Sequence, residues 1–123
     1  MLQLATSNES LFAEGKKVIP GGVNSPIRSW KDLGKDPFIA SYGKGDLITD
    51  IEGNHYIDYC MSFGALILGH AHPSPVKAAI EAIQKGSTFG VHTPYETALA
   101  KLITSSISFC EKVRFVSTGT EAL

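Results

Sequence analysis

The chain has 123 residues, 43% of them hydrophobic and 19% charged, with a net charge of −1. That composition belongs to a folded globular chain rather than a disordered one, and it offers neither a basic surface for nucleic acid nor a charged tail. No apolar run approaches the roughly 20 residues of a membrane span. The start, MLQLATSNES, is neither a secretion signal nor an arginine-rich transit peptide, so cytoplasm is the expected location.

Residues 7–19 are predicted as a helix, with Thr6 and Glu9 as a capping box and Leu11, Phe12, Val18 and Ile19 on one face. Pro20-Gly21-Gly22 stops it and opens an irregular segment over residues 20–37, which Ile27, Trp30 and Leu33 should tether by partial burial. Residues 38–42, 46–51 and 55–60 read as an antiparallel meander, turned by Gly43-Lys44-Gly45 and Glu52-Gly53-Asn54. A glycine- and histidine-bearing loop follows over residues 61–72. A helix over 73–85 then carries Val76, Ala79, Ile80 and Ile83 on one face. Another is expected over 93–108, with Thr93 as N-cap, Pro94 at the first position and Glu96 closing a capping box. Residues 112–116 (KVRFV) read as a buried strand, which Ser117-Thr118-Gly119-Thr120-Glu121 leads into a helix start. The chain stops there. A strand in that position needs cover on both faces, so the expectation is a truncated or frameshifted product, or a piece of a longer chain.

Cys60 and Cys110, fifty residues apart, match no metal or redox spacing and are expected to be small core residues without a disulfide. Asp50, Glu52 and Asp58 read as surface charges of the hairpins. His55, His70, His72 and His92 lack the acidic or cysteine neighbours of a metal site, so structural hydrogen bonding is expected of them and no metal. The closing motif allows two readings. Unpaired amides at a helix start, a glycine that permits close approach and two threonine hydroxyls make a phosphate cradle. The same residues make an ordinary capped helix.

Four blocks, in order, bear on that choice. They are Val18-Ile19-Pro20-Gly21-Gly22-Val23-Asn24-Ser25-Pro26-Ile27-Arg28, Asp50-Ile51-Glu52-Gly53-Asn54-His55-Tyr56-Ile57-Asp58, Leu68-Gly69-His70-Ala71-His72-Pro73, and Val113-Arg114-Phe115-Val116-Ser117-Thr118-Gly119-Thr120-Glu121-Ala122. Together they resemble the class III pyridoxal-phosphate aminotransferases and, within them, the glutamate-1-semialdehyde aminomutases, whose signature the first block most closely resembles. The resemblance implies an α/β chain, the amino-terminal portion of a type I aminotransferase fold. Residues 1–72 would hold the first helix, the substrate loop and the small sheet, and residues 73–123 would begin the large cofactor-binding domain. It implies a homodimer that converts glutamate 1-semialdehyde to 5-aminolevulinate, a tetrapyrrole precursor, with pyridoxal 5'-phosphate. Ser25 and Arg28 would hold the substrate carboxylate, and Arg28 offers the planar fork suited to it. Ser62 and Phe63 would line the substrate pocket, Phe63 standing where the family usually has tryptophan. Thr118, Gly119 and Thr120 would bind the cofactor phosphate, with Ser117-Thr118 where the family commonly has Asn-Ser. The Schiff-base lysine and the acid that pairs with the pyridine nitrogen lie in family sequence downstream of these blocks. No lysine here sits in a matching motif, so this polypeptide alone is expected to be inactive and to give no borohydride-trappable absorbance band with the cofactor. Another class III aminotransferase, or a non-catalytic folding or interaction module, are the alternative readings.

Overall fold

The computed structural model describes residues 6–123. Its helices are α1 (Asn8–Val18), α2 (Pro73–Ile83), α3 (Pro94–Ser106) and α4 (Gly119–Ala122), and its strands are β1 (Ala40–Lys44), β2 (Leu47–Asp50) and β3 (His55–Ile57). The chain divides into two compact units, one ending at Ile80 and the other running from Glu81 to Leu123.

In the first unit, α1 starts one residue later than the predicted cap. The reciprocal capping pair is Ser7 and Ser10, not Thr6 and Glu9: each backbone amide donates to the other's hydroxyl at 3.2 Å. Asn8 explains the shift, because its side chain is drawn away from the helix. Its Nδ2 donates to Asp50 Oδ2 at 2.9 Å and its Oδ1 accepts from the Ile39 amide at 2.7 Å. The helix ends in a 3-10 turn over Pro20–Gly22, where Gly22 has φ of 76° and lies under the Phe12 ring, 2.7 Å from where a β-carbon would stand. A side chain there would displace Phe12, the buried apolar anchor of the unit at 4% exposure.

The irregular segment is two further 3-10 turns, Pro26–Ser29 and Lys31–Leu33. Its tether is narrower than expected. Trp30 packs edge-on against Phe38 at 5.2 Å between ring centroids, and Phe38 stacks on Tyr56 at 4.5 Å. Ile27 and Leu33, by contrast, are exposed. Trp30 adopts the left-handed conformation, ending one turn and starting the next, which aims one aromatic inward at the expense of its flanking aliphatics.

The meander forms in the order β1-β2-β3, antiparallel throughout, with Gly43 opposite Ile48 and Ile48 opposite Tyr56. The first turn falls at Gly45-Asp46, because β1 pairs through Lys44.

Asp50 is not a surface charge: it is 2% exposed. Oδ1 accepts from the Glu52 and Asn54 amides at 3.0 and 2.8 Å, while Oδ2 accepts from Asn8, from Asn54 Nδ2 at 3.0 Å and from the Tyr56 hydroxyl at 3.1 Å. One carboxylate thus joins α1, the second hairpin turn and β3. Burial pushes its pKa up, but the bonds from Asn54, Asn8 and Tyr56 outweigh burial and hold it well below the usual carboxylate range. The folded-state value lies below the unfolded one of about 4. The stabilisation is therefore present above that pH and lost as the pH falls below it. Asp50→Ala is expected to lower the melting temperature by about 5–10 °C at neutral pH and to flatten the acid limb of the stability profile. Thermal unfolding between pH 7 and pH 2 checks both.

In the second unit, α3 begins as its sequence predicts. Thr93 caps it, and its amide and hydroxyl both donate to Glu96 Oε1, at 3.0 and 3.2 Å. Those bonds, the backbone one first, hold the Glu96 carboxyl below its usual range against the rise from burial, and His92 adds to them. The predicted strand over 112–116 does not form. The pattern is apolar and β-branched, but a strand exists only where a neighbour takes up its backbone groups, and among the described residues this segment pairs with none. The apolar residues Val76 and Ile80 of the first unit, and Ile83, Leu99 and Leu102 of the second, fall on their helices as expected, yet their side chains are exposed.

Candidate functional site

Ser25 opens a 3-10 turn, Pro26–Ser29, that carries Arg28. Pro26 fixes its entry, the Arg28 amide donates to the Ser25 carbonyl at 2.9 Å, and Ser29 Oγ donates to the Pro26 carbonyl at 2.7 Å. The turn is thus closed by backbone, Pro26 and the Ser29 hydroxyl, without the Arg28 side chain. Among the described residues its guanidinium makes no hydrogen bond or ion pair, and it is exposed. A five-donor planar cation held one turn from a hydroxyl is equipped to take a carboxylate in two parallel bonds.

Ser62 and Phe63 lie in a loop of unusual backbone. Met61, Ser62 and Phe63 have φ of 46°, 53° and 58°, and Gly64 follows at 87°. Three successive non-glycine residues in the left-handed region cost about 1–2 kcal/mol each, so the loop persists only where its surroundings impose it. The bonds that close it are Gly64 N to Cys60 O and Leu66 N to Met61 O, both 3.1 Å. Phe63 is 72% exposed, so it is not a core residue, and Cys60 in the same loop is exposed as well. The expected burial of Cys60 fails because the loop turns its start outward. Cys110 is half-buried; both cysteines are free thiols. Among the described residues no hydrogen bond joins Ser25 or Arg28 to Ser62 or Phe63.

Asp58, expected as a surface charge, underlies this loop. Its side chain is 8% exposed, with Oδ1 accepting from the Cys60 and Met61 amides at 2.9 and 3.0 Å and Oδ2 lying 2.7 Å from His70 Nε2. The His70 bond first, then the Met61 amide, keep its pKa below the ordinary carboxylate range, against burial. The other histidines are bonded locally: His55 Nδ1 to Thr49 Oγ1 at 2.8 Å, His92 to Glu96 and Thr97, and His72 Nδ1 to the Ser74 amide.

In the second unit, Thr118 caps α4, so the tripeptide 118–120 stands at a helix start and not within one. Thr118 Oγ1 accepts from the Glu121 amide at 3.1 Å and donates to Glu121 Oε2 at 2.8 Å. The amides of Gly119 and Thr120 have no intrahelical acceptor. Nothing comes within 4 Å of where a β-carbon on Gly119 would stand. The backbone is open to an anion; the Thr118 hydroxyl proton is engaged by Glu121.

His70 makes the structural hydrogen bond expected of it, whereas Asp50 and Asp58, expected as surface charges, are organising groups.

Residues 31–123 match the family model described as aminotransferase class-III. The chain is 51% identical over 121 residues to a protein of Listeria monocytogenes serotype 4a named glutamate-1-semialdehyde 2,1-aminomutase 2, covering 98% of this chain and 28% of that protein. It superposes on an omega-transaminase from Sphaerobacter thermophilus with a TM-score of 0.85 at 34% identity, covering 96% of this chain and 26% of that one. A structure described as a transaminase with PLP bound matches at a TM-score of 0.83 and 36% identity, over 96% of this chain and 28% of its own. The fold is therefore that of an amino-terminal part of a PLP-dependent transaminase, and the chain spans little more than a quarter of the length of the relatives it matches.

Proposed function

Since the chain belongs to the class III aminotransferases, we propose that it supplies the amino-terminal part of a pyridoxal-phosphate-dependent glutamate-1-semialdehyde 2,1-aminomutase. In this reading residues 1–72 carry the substrate side and residues 73–123 open the cofactor domain. The observation that carries the reading is the Arg28 guanidinium, uncommitted among the described residues and joined to Ser25 by one closed turn. The high identity to the Listeria protein across nearly the whole chain supports it.

The reaction moves an amino group between neighbouring carbons of a five-carbon amino-aldehyde that bears a carboxylate at its far end. Arg28 and Ser25 take that carboxylate, so the substrate is oriented end-on and its reacting carbons are presented at a fixed reach. Ser62 and Phe63 wall the pocket. Phe63 supplies an apolar face that excludes water, without the N–H that a tryptophan would add. The amides of Gly119 and Thr120, with the Thr120 hydroxyl, hold the cofactor phosphate, and the open space at Gly119 fits that group. Pyridoxal phosphate, when bound, supplies the electron sink and the nitrogen carrier. By family, the enzyme is a cytoplasmic homodimer in tetrapyrrole synthesis. The described residues contain no helix long and apolar enough to cross a membrane.

The reading is tested by supplying the full-length holoenzyme with glutamate 1-semialdehyde and measuring 5-aminolevulinate without added amino donor. Turnover only in the presence of an external donor and acceptor pair would assign the chain to an ordinary class III aminotransferase, the reading that the omega-transaminase likeness favours. Phe63→Trp separates the two further. It is expected to lower KM for the amino-aldehyde by about two- to fivefold if the wall faces substrate, the size of one added contact. Steady-state kinetics checks it.

A further inference from the structure

The left-handed run Met61-Ser62-Phe63 needs an external constraint, and the structure contains one. Asp58 grips the loop by both the Cys60 and Met61 amides. Its other oxygen is fixed by His70 Nε2 at 2.7 Å. His70 is itself held by the sheet: its amide donates to the Gly45 carbonyl at 2.8 Å and its carbonyl accepts from the Gly45 amide at 2.9 Å. Its ring lies against Gly43, where a β-carbon would stand 2.6 Å from Cγ. Sheet, imidazole, carboxylate and loop amides form one continuous chain of contacts, and each link is a short hydrogen bond or a contact that only glycine permits.

We propose that the Asp58–His70 pair, seated on Gly43, is a positioning clamp that holds Ser62 and Phe63 in their wall geometry and so sets affinity for the amino-aldehyde without touching it. The inference rests on the reading of Ser62 and Phe63 as substrate wall. Neither Asp58 nor His70 is a catalytic residue in this account. The pair acts through the loop: it anchors the amide of Met61, the first of the three left-handed residues, and a wall that relaxes loses contact with substrate in ground and transition states alike. Such a loss raises KM and leaves kcat near its starting value.

The experiment uses the full-length holoenzyme with three variants. His70→Leu removes the N–H donor, His70→Gln restores a donor near the Nε2 position, and Gly43→Ala displaces the ring while leaving both members of the pair in place. KM for glutamate 1-semialdehyde is expected to rise about tenfold in His70→Leu with kcat within about threefold, and to return most of the way in His70→Gln. Gly43→Ala is expected to match His70→Leu. The second readout is hydrogen exchange in peptides spanning residues 60–66, expected to quicken about tenfold in His70→Leu and Gly43→Ala but not in His70→Gln. Unchanged exchange in both disrupting variants overturns the clamp. Faster exchange with unchanged KM overturns its role in substrate affinity. Should His70→Leu fail to fold, Gly43→Ala and His70→Gln give the same comparison. Absence of 5-aminolevulinate formation by the unmodified enzyme is a different failure: it strikes the proposed function, and the clamp is then judged on exchange alone.

Discussion

Arg28→Ala in the full-length holoenzyme is expected to raise KM for glutamate 1-semialdehyde about a hundredfold or more, the effect of losing two charge-assisted hydrogen bonds to one carboxylate. Arg28→Lys is expected to recover only part of this, remaining about tenfold impaired, because an ammonium keeps the charge but not the fork. The prediction is clean because the turn does not depend on the side chain. Pro26 sets the backbone, the Arg28 amide closes on Ser25, and Ser29 ties back to Pro26. Neither substitution touches these bonds, so the melting temperature should hold within about 2 °C, as for surface changes in general. Measuring KM, kcat and thermal unfolding of both variants separates binding from folding. A KM for Arg28→Ala equal to that of the unmodified enzyme would remove the carboxylate role and the main support for the proposed substrate.

How far the sequence revealed this depended on the range of the interactions concerned. The meander was readable because its turns are local: Gly45 and the Glu52-Gly53-Asn54 run sit between short apolar segments, and pairing follows. The α3 cap was readable for the same reason, three residues separating Thr93 from Glu96. Ser25 and Arg28 were named through the resemblance of the block running from Val18 to Arg28, and the 3-10 turn that joins them could not be read from that resemblance. What escaped was set by distant partners. Asp50 looks like a hairpin charge until Asn8, far back in α1, donates to it, and Asp58 looks the same until His70 arrives. Residues 112–116 have the composition of a strand, yet composition supplies no neighbour, and the segment stays unpaired among the described residues. The left-handed backbone at Met61-Ser62-Phe63 left no mark in the sequence, since none of the three favours that conformation by itself.

Gly119→Val is expected to weaken pyridoxal phosphate binding at least about tenfold while leaving the fold of the unloaded protein intact. The two halves of that statement come from different observations. A β-carbon at Gly119 meets nothing within 4 Å, and the residue has no positive φ, so the protein itself does not require glycine there. Only something approaching the amides from outside would require it, and a phosphate at hydrogen-bonding distance from Gly119 and Thr120 would meet the added methyls. Thr118→Ala is a poorer probe, because it also removes the α4 cap, a loss of about 1 kcal/mol that has nothing to do with ligand. Thr120→Val removes a hydroxyl without disturbing the cap and should weaken binding by a smaller factor, about threefold to tenfold, in line with one lost hydrogen bond. Cofactor titration of the full-length protein followed by absorbance, with the melting temperature of the unloaded full-length protein as control, reads all three. Unchanged affinity in Gly119→Val would leave Thr118-Gly119-Thr120 as nothing more than a capped helix start, because the open space at Gly119 would then be serving no ligand.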